Sequence, residues 1–214
     1  MKNIVIFGDS YSTHEHIIPE GYKSYYYDEG KEDGPSVSKM QMEDTWWYKF
    51  ISHINARLLR NDSWSGSTIG HTGYNGADCS SSCSFIYRYR KLKEEGFFEE
   101  NKPDTVIVFG GTNDSWSDAP LGEIKTSGWE EADLFNVLPA ICYFAHTLRE
   151  DFPDAEIIFI INTELKEEIS SCIEYAAKKY GLKSIRLESI SKENGHPTKQ
   201  GMIEISEQVM RALV

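Results

Sequence analysis

The sequence is poor in covalent cross-linkers: four cysteines, Cys79, Cys83, Cys142 and Cys172, in 214 residues. Four are too few for a disulfide framework, so reduced and mostly buried thiols are expected. No Cys-x2-Cys pair occurs, which leaves a structural zinc site nothing to rest on. No apolar run approaches the ~18 residues of a membrane span. At the amino end only Ile4 to Phe7 is apolar before Gly8-Asp9. That stretch is too short for the h-region of a signal sequence, and a cytoplasmic protein is expected. Positive charge is also scarce, with 22 Lys and Arg against 34 Asp and Glu, a net charge of −12. A chain so acidic repels phosphate backbones and anionic lipid, which argues against nucleic acid and membrane surfaces as partners. Internal repeats and long low-complexity tracts are missing too.

What is present is an ordinary globular composition, 40 % hydrophobic and 26 % charged. The length suits one domain spanning 1–214, able to remove roughly 70 % of the unfolded chain's surface from water. Short β-branched runs alternate with amphipathic stretches. Strands are expected at Lys2–Phe7, Leu58–Asn61, Thr105–Phe109, Glu156–Ile161 and Ser184–Leu187. Helices are expected from Asp44 or Thr45 to about Leu58, then over Ser84–Glu95, Glu130–Asp151, Glu164–Tyr180 and Lys199–Leu213. Such alternation implies βαβ units and an α/β fold of three layers, αβα. The expected arrangement is flavodoxin-like, a five-stranded, mostly parallel sheet with helices on both faces. Two polar segments, Tyr11–Glu43 and Trp116–Trp129, interrupt the alternation. Both leave from carboxyl ends of strands, where loops of that length form binding walls or lids.

The chemistry-bearing residues follow the same strand ends. Gly8-Asp9-Ser10 follows the first strand, and Asn61-Asp62-Ser63-Trp64-Ser65-Gly66-Ser67-Thr68 the second. Gly110-Gly111-Thr112-Asn113-Asp114 follows the third, and Glu193-Asn194-Gly195-His196-Pro197 the fifth. A nucleophile, small flexible backbone, a carboxamide and an imidazole therefore converge on one rim of the sheet. A serine hydroxyl needs a neighbouring base to take its proton during attack. Imidazole, with an ordinary pKa near ~6.5, can take and return that proton around neutrality.

These four segments, in this order from position 8 to position 197, resemble the four blocks of the SGNH (GDSL-like) hydrolase superfamily. The resemblance implies a serine esterase with Ser10 as nucleophile and His196 as base. It also implies an oxyanion hole built from Ser10, Gly66 and Asn113. The sequence departs from the family at the acid: Glu193 stands three residues before the histidine, where the pattern has Asp. Glu193 is the expected third catalytic residue, and a backbone carbonyl orienting the ring is the alternative. Tyr11 replaces the usual leucine after Gly-Asp-Ser and joins His71 and Trp116 as a candidate for the substrate pocket. Tyr25–Tyr27, Trp116 and Trp129 are either platforms for sugar rings or pins for long loops.

No cofactor is implied, and His14-Glu15-His16 reads as a solvated loop, so no metal is expected. The expected partner is a small ester, an acetylated carbohydrate foremost, with a short-chain thioesterase or phospholipid deacylase as neighbouring activities. Two other classes compete. One is a non-catalytic small-molecule or carbohydrate-binding domain that keeps the fold, favoured by Glu193 in place of Asp. The other is a flavin or nucleotide binder, for which the glycines at 66, 70, 73 and 76 give neither phosphate-binding fingerprint.

Overall fold

The computed structural model describes residues 1–31 and 34–213. Five strands form one sheet: β1 Asn3–Gly8, β2 Arg57–Ser63, β3 Thr105–Phe109, β4 Glu156–Ile161 and β5 Lys183–Arg186. Their order is β2-β1-β3-β4-β5, and all four pairings are parallel. This is the doubly wound, flavodoxin-like order expected from the alternation. A two-stranded antiparallel hairpin, β6 Lys192–Glu193 and β7 His196–Pro197, stands apart from the sheet.

The three layers follow from the period-2 alternation of buried strands. Val5, Phe7, Val106, Val108, Ile157, Phe159 and Ile161 share one core with helices α2 Phe85–Glu94, α5 Val137–Asp151 and α6 Glu167–Tyr180. Their neighbours along the strands, Ile4, Ile6, Ile107, Phe109, Ile158, Ile160 and Ile185, face the other way. They pack against α1 Trp46–His53 and α7 Lys199–Leu213. Short helices α3 Phe97–Glu100 and α4 Thr112–Trp116 complete the set. Among the described residues no helix is long and apolar enough to cross a membrane.

Several boundaries differ from the sequence reading for local reasons. The first helix stops at His53 because Asn55 takes a left-handed conformation, φ 50°, and β2 starts two residues later. The stretch before α5 is a 3-10 turn over Glu131–Phe135, and the α-helix begins only at Val137, with Pro139 in its first turn. Glu164 has φ 66°, which delays α6 to Glu167. The third block is itself helical, forming α4.

Register decides where the site lies. Gly8 of β1 pairs with Ser63 of β2 on one side and Phe109 of β3 on the other. The residues that follow these three strands therefore emerge side by side on one rim. A cavity of about 610 Å³ lies at the opposite end of the sheet, around Phe98, Asp104, Phe152 and Ala155.

Candidate active site

Ser10 leaves the end of β1 in a 3-10 turn, Ser10–Ser12, that the Asp9 side chain caps by accepting the Tyr11 N–H at 3.0 Å. Gly8 has to be glycine, since a Cβ there would lie 2.5 Å from Ser63 Oγ and 2.6 Å from Ser12 Cβ. The β1 and β2 ends are stitched together by Arg88 of α2, a fully buried cation. Its Nη1 donates to Asp62 Oδ1 at 2.6 Å, and its Nη2 donates to the Gly8 carbonyl and Ser67 Oγ, both at 3.2 Å. The sequence marks Ser84–Glu95 only as a helix and does not single out Arg88 or Asp62.

The second and third blocks are fastened to one another. Both oxygens of buried Asp114 accept the Ile69 N–H, at 3.1 and 2.9 Å, and Oδ1 accepts the Gly70 N–H at 3.2 Å. Asn113 Nδ2 donates to the Ser67 carbonyl at 2.9 Å, while its Oδ1 accepts from the Tyr74 hydroxyl at 2.8 Å. The carboxamide is thus oriented from both ends. An amide NH2 carries two hydrogens, so a second donor remains after Ser67 is served. Gly66 has φ +85°, and a Cβ on it would meet nothing within 4 Å. Backbone conformation, rather than crowding, is what requires glycine at 66.

His196 arrives from the far end of the chain on the β6–β7 hairpin. Its two-residue turn, Asn194-Gly195, has φ of 50° and 76°, the left-handed pair that Asn-Gly supplies in tight hairpins. The hairpin is anchored from below, with the Tyr11 hydroxyl donating to the Gly195 carbonyl and the Tyr26 hydroxyl to the Pro197 carbonyl. The outcome is a contact between Ser10 Oγ and His196 Nε2 at 3.0 Å. Burial, followed in the same direction by the Lys192 ammonium, holds the imidazole pKa below its ordinary 6.5, against the opposing Asn194 carbonyl.

The other imidazole nitrogen, Nδ1, lies 3.2 Å from the Asn194 carbonyl. Glu193 is exposed, and its carboxylate accepts from Ser36 Oγ at 3.2 Å. The expected Glu193–His196 hydrogen bond is therefore replaced by the backbone carbonyl, the alternative the sequence left open. The reason is the turn itself, which brings the Asn194 carbonyl beside the ring while Ser36 draws the longer glutamate side chain outward.

Two of the three pocket candidates adjoin the imidazole. The Tyr11 ring is tilted against it at 5.5 Å, and Trp116, 40 % exposed, meets it edge-on at 5.9 Å. His71 does not join them. It is fully buried, with Nδ1 3.0 Å from Ser84 Oγ and its ring edge-on to Phe135. The glycines around it suggested an open loop, but the loop folds inward and His71 serves as interior scaffold. Tyr74, which the sequence does not single out, orients Asn113, and Tyr25, expected as a sugar platform or a loop pin, instead stacks its ring on His196 at 3.6 Å and 7°.

Glu15, His16 and Asp28 form a cluster of oxygen and nitrogen atoms within 4.8 Å of one another. Its charges already have protein partners, since His16 Nε2 lies 2.8 Å from Asp28 Oδ2 and Lys31 pairs with Glu15. Of the same sequence run, His14 is buried with Nε2 3.1 Å from the Met40 carbonyl.

The fold and the paired serine and imidazole define an α/β ester hydrolase of the serine type. The model of the GDSL-like lipase/acylhydrolase family matches residues 2–213, and the chain belongs to that family. A GDSL-like lipase from Bacteroides uniformis is similar, at 40 % identity and TM-score 0.90, over 99 % of this chain and 95 % of that one. Another, from Bacteroides ovatus, is 39 % identical at TM-score 0.89, over 100 % of this chain and 98 % of that one. A family two carbohydrate esterase from Cellvibrio japonicus shares the fold at 18 % identity and TM-score 0.69, over 99 % of this chain and 60 % of that one. No curated protein matches the chain significantly.

Proposed function

We propose that this ester hydrolase removes small acyl groups, acetyl foremost, from a carbohydrate through an acyl-Ser10 intermediate. The observation that carries the mechanism is the 3.0 Å contact between Ser10 Oγ and His196 Nε2. Nε2 takes the hydroxyl proton as Oγ bonds to the acyl carbon, and the carbonyl electron pair moves onto oxygen. That oxyanion is met by the Ser10 and Gly66 N–H groups and the second N–H of Asn113 Nδ2. As the tetrahedral adduct collapses, the imidazolium passes its proton to the departing alkoxide. Water, deprotonated by the same nitrogen, then attacks the acyl-serine and releases the acid. The Asn194 carbonyl holds a proton on Nδ1, so Nε2 is the nitrogen with the free lone pair.

The acyl preference rests on crowding, since three aromatic rings surround the imidazole and limit the room for a long chain. The carbohydrate rests on Trp116 and Tyr74, each 40 % exposed and each touching a site residue. Such faces suit the apolar sides of pyranose rings. The carbohydrate esterase that shares the fold is consistent with this reading.

A second reading, a binding domain without turnover, is favoured by the Glu193 carboxylate pairing with Ser36 while Nδ1 meets a backbone carbonyl. Hydrolysis of p-nitrophenyl acetate by wild type, Ser10→Ala, His196→Ala and the double variant separates the two. Each single substitution should lower kcat by roughly 10³ or more, with little further loss in the double variant. Equal rates for wild type and Ser10→Ala would end the esterase reading. Acetylated against deacetylated oligosaccharides, compared by product release and by binding, test the carbohydrate.

A further inference from the structure

We infer that Tyr25 is a positioning residue of this reaction: its ring face steadies the His196 imidazole over Ser10 and stabilises the imidazolium formed when Ser10 gives up its proton. The inference rests on the Ser10–His196 roles proposed above.

The groups facing the imidazole define the problem. Nε2 meets Ser10, and Nδ1 meets a neutral carbonyl. The Tyr11 ring and the Trp116 edge close two further sides. Among the described residues the ion acting on the ring is Lys192, of the same sign as the imidazolium. Lys192 itself is held by Thr163 Oγ1 at 2.6 Å and Glu164 Oε2 at 3.2 Å, over the Tyr11 ring. The Glu193 charge acts instead on Tyr25, whose hydroxyl it helps, after burial, to hold above the ordinary tyrosine pKa. In a Ser-His-Asp triad a buried carboxylate answers the positive ring. Here that ring forms half-buried beside an ammonium, and among the described residues no carboxylate is bonded to it.

Tyr25 is the group placed to compensate. Its ring lies parallel to the imidazole at a 3.6 Å centroid separation, so the negative face of its π-system covers the ring that becomes positive. The segment that carries it is tied to both catalytic partners. The Tyr25 N–H donates to Thr13 Oγ1 at 2.9 Å, and Thr13 Oγ1 donates to the Ser10 carbonyl at 3.0 Å. Next along the chain, Tyr26 packs edge-on to Tyr25 and donates its hydroxyl to the Pro197 carbonyl at 2.9 Å. Residues 25 and 26 thus grip the histidine by its face and by the carbonyl after it.

The decisive variants are Tyr25→Phe, which keeps the aromatic face, and Tyr25→Leu, which keeps bulk without it. They are compared in steady-state hydrolysis of p-nitrophenyl acetate and in an NMR titration of the His196 ring. Tyr25→Leu should lower kcat roughly 3- to 30-fold, the range of a cation–π contact, with KM changed less than about twofold. It should also lower the His196 pKa, while Tyr25→Phe stays near wild type in both readouts. Unchanged kcat and pKa in Tyr25→Leu would overturn the inference. So would a change in KM alone, or an equal loss in Tyr25→Phe. Should Tyr25→Leu misfold, pentafluorophenylalanine at position 25 keeps the shape, inverts the face charge and is read the same way. If wild type turns over no ester, the esterase reading falls, and the ring titration still decides whether Tyr25 supports the imidazolium.

Discussion

Removing the Glu193 carboxylate should leave the enzyme nearly intact, which is the opposite of what a catalytic triad predicts. In Ser-His-Asp enzymes, neutralising the acid lowers kcat by about 10⁴, because the imidazole is left in the wrong tautomer. Here the tautomer is set by the Asn194 carbonyl, 3.2 Å from Nδ1, and the Glu193 carboxylate is engaged with Ser36 Oγ. What remains is its field. An exposed charge acting through water without contact contributes under about 1 kcal/mol, a few-fold in rate at most. Glu193→Gln and Glu193→Ala should therefore keep kcat and kcat/KM on p-nitrophenyl acetate within about threefold of wild type from pH 6 to 9. A loss of 10³ or more in both variants would refute the reasoning. It would mean that in the working enzyme the carboxylate leaves Ser36 and turns to the imidazole, a move the direct pairing of residues 193 and 196 across the hairpin makes sterically short.

Asn113→Ala should lower kcat by about 10²–10³ if its amide meets the oxyanion. Tyr74→Phe, which removes one orienting hydrogen bond, should cost about tenfold or less by the same assay. The profile of kcat/KM should rise with pH as His196 loses its proton, with a midpoint below 6.5, since burial and Lys192 both lower that pKa. A stability test concerns two buried carboxyls: burial lifts Asp9 to about 7 and Asp114 to about 6, against 3.8 for the free groups. Between those values the folded protein retains protons that the unfolded chain has lost, so their contribution is greatest at low pH and falls as pH rises toward 7. Urea midpoints should therefore decline from pH 5 to 8 in wild type and decline less in Asp9→Asn. Arg88→Met leaves Asp62 Oδ1 without its guanidinium while Oδ2 keeps Arg60 at 3.0 Å and the Tyr22 hydroxyl at 3.5 Å, and should destabilise by about 3–5 kcal/mol in urea unfolding.

The centre of the sheet was legible because β1, β3 and β4 are nearly unbroken apolar runs, such as Thr-Val-Ile-Val-Phe at 105–109, whereas the edge strands β2 and β5 carry a weaker apolar signal. The parallel order follows from the helices between them. Ser10 and His196 were singled out by the resemblance of four ordered blocks to the SGNH hydrolases, since alone they read as a turn serine and a surface histidine. What stayed hidden depends on side chains that loops carry across the molecule. Tyr25 and Tyr74 come from polar segments whose path no periodicity describes. His71 was misplaced because nearby glycines signal open loop, whereas Ser84 and Phe135, distant in sequence, draw it inside. Glu193 was the natural choice of acid by spacing, but a two-residue turn with two left-handed residues offers a carbonyl sooner than a glutamate can reach.

The partners Ser10 and His196 stand 186 residues apart, and the second rides on a hairpin two residues wide. Turnover accordingly requires the hairpin to be in place, with the tyrosines from the opening loop bonded to its carbonyls. A small excursion of that hairpin separates acceptor from nucleophile while the sheet and both cores persist, so warming or mild denaturant should silence turnover before circular dichroism records any melting.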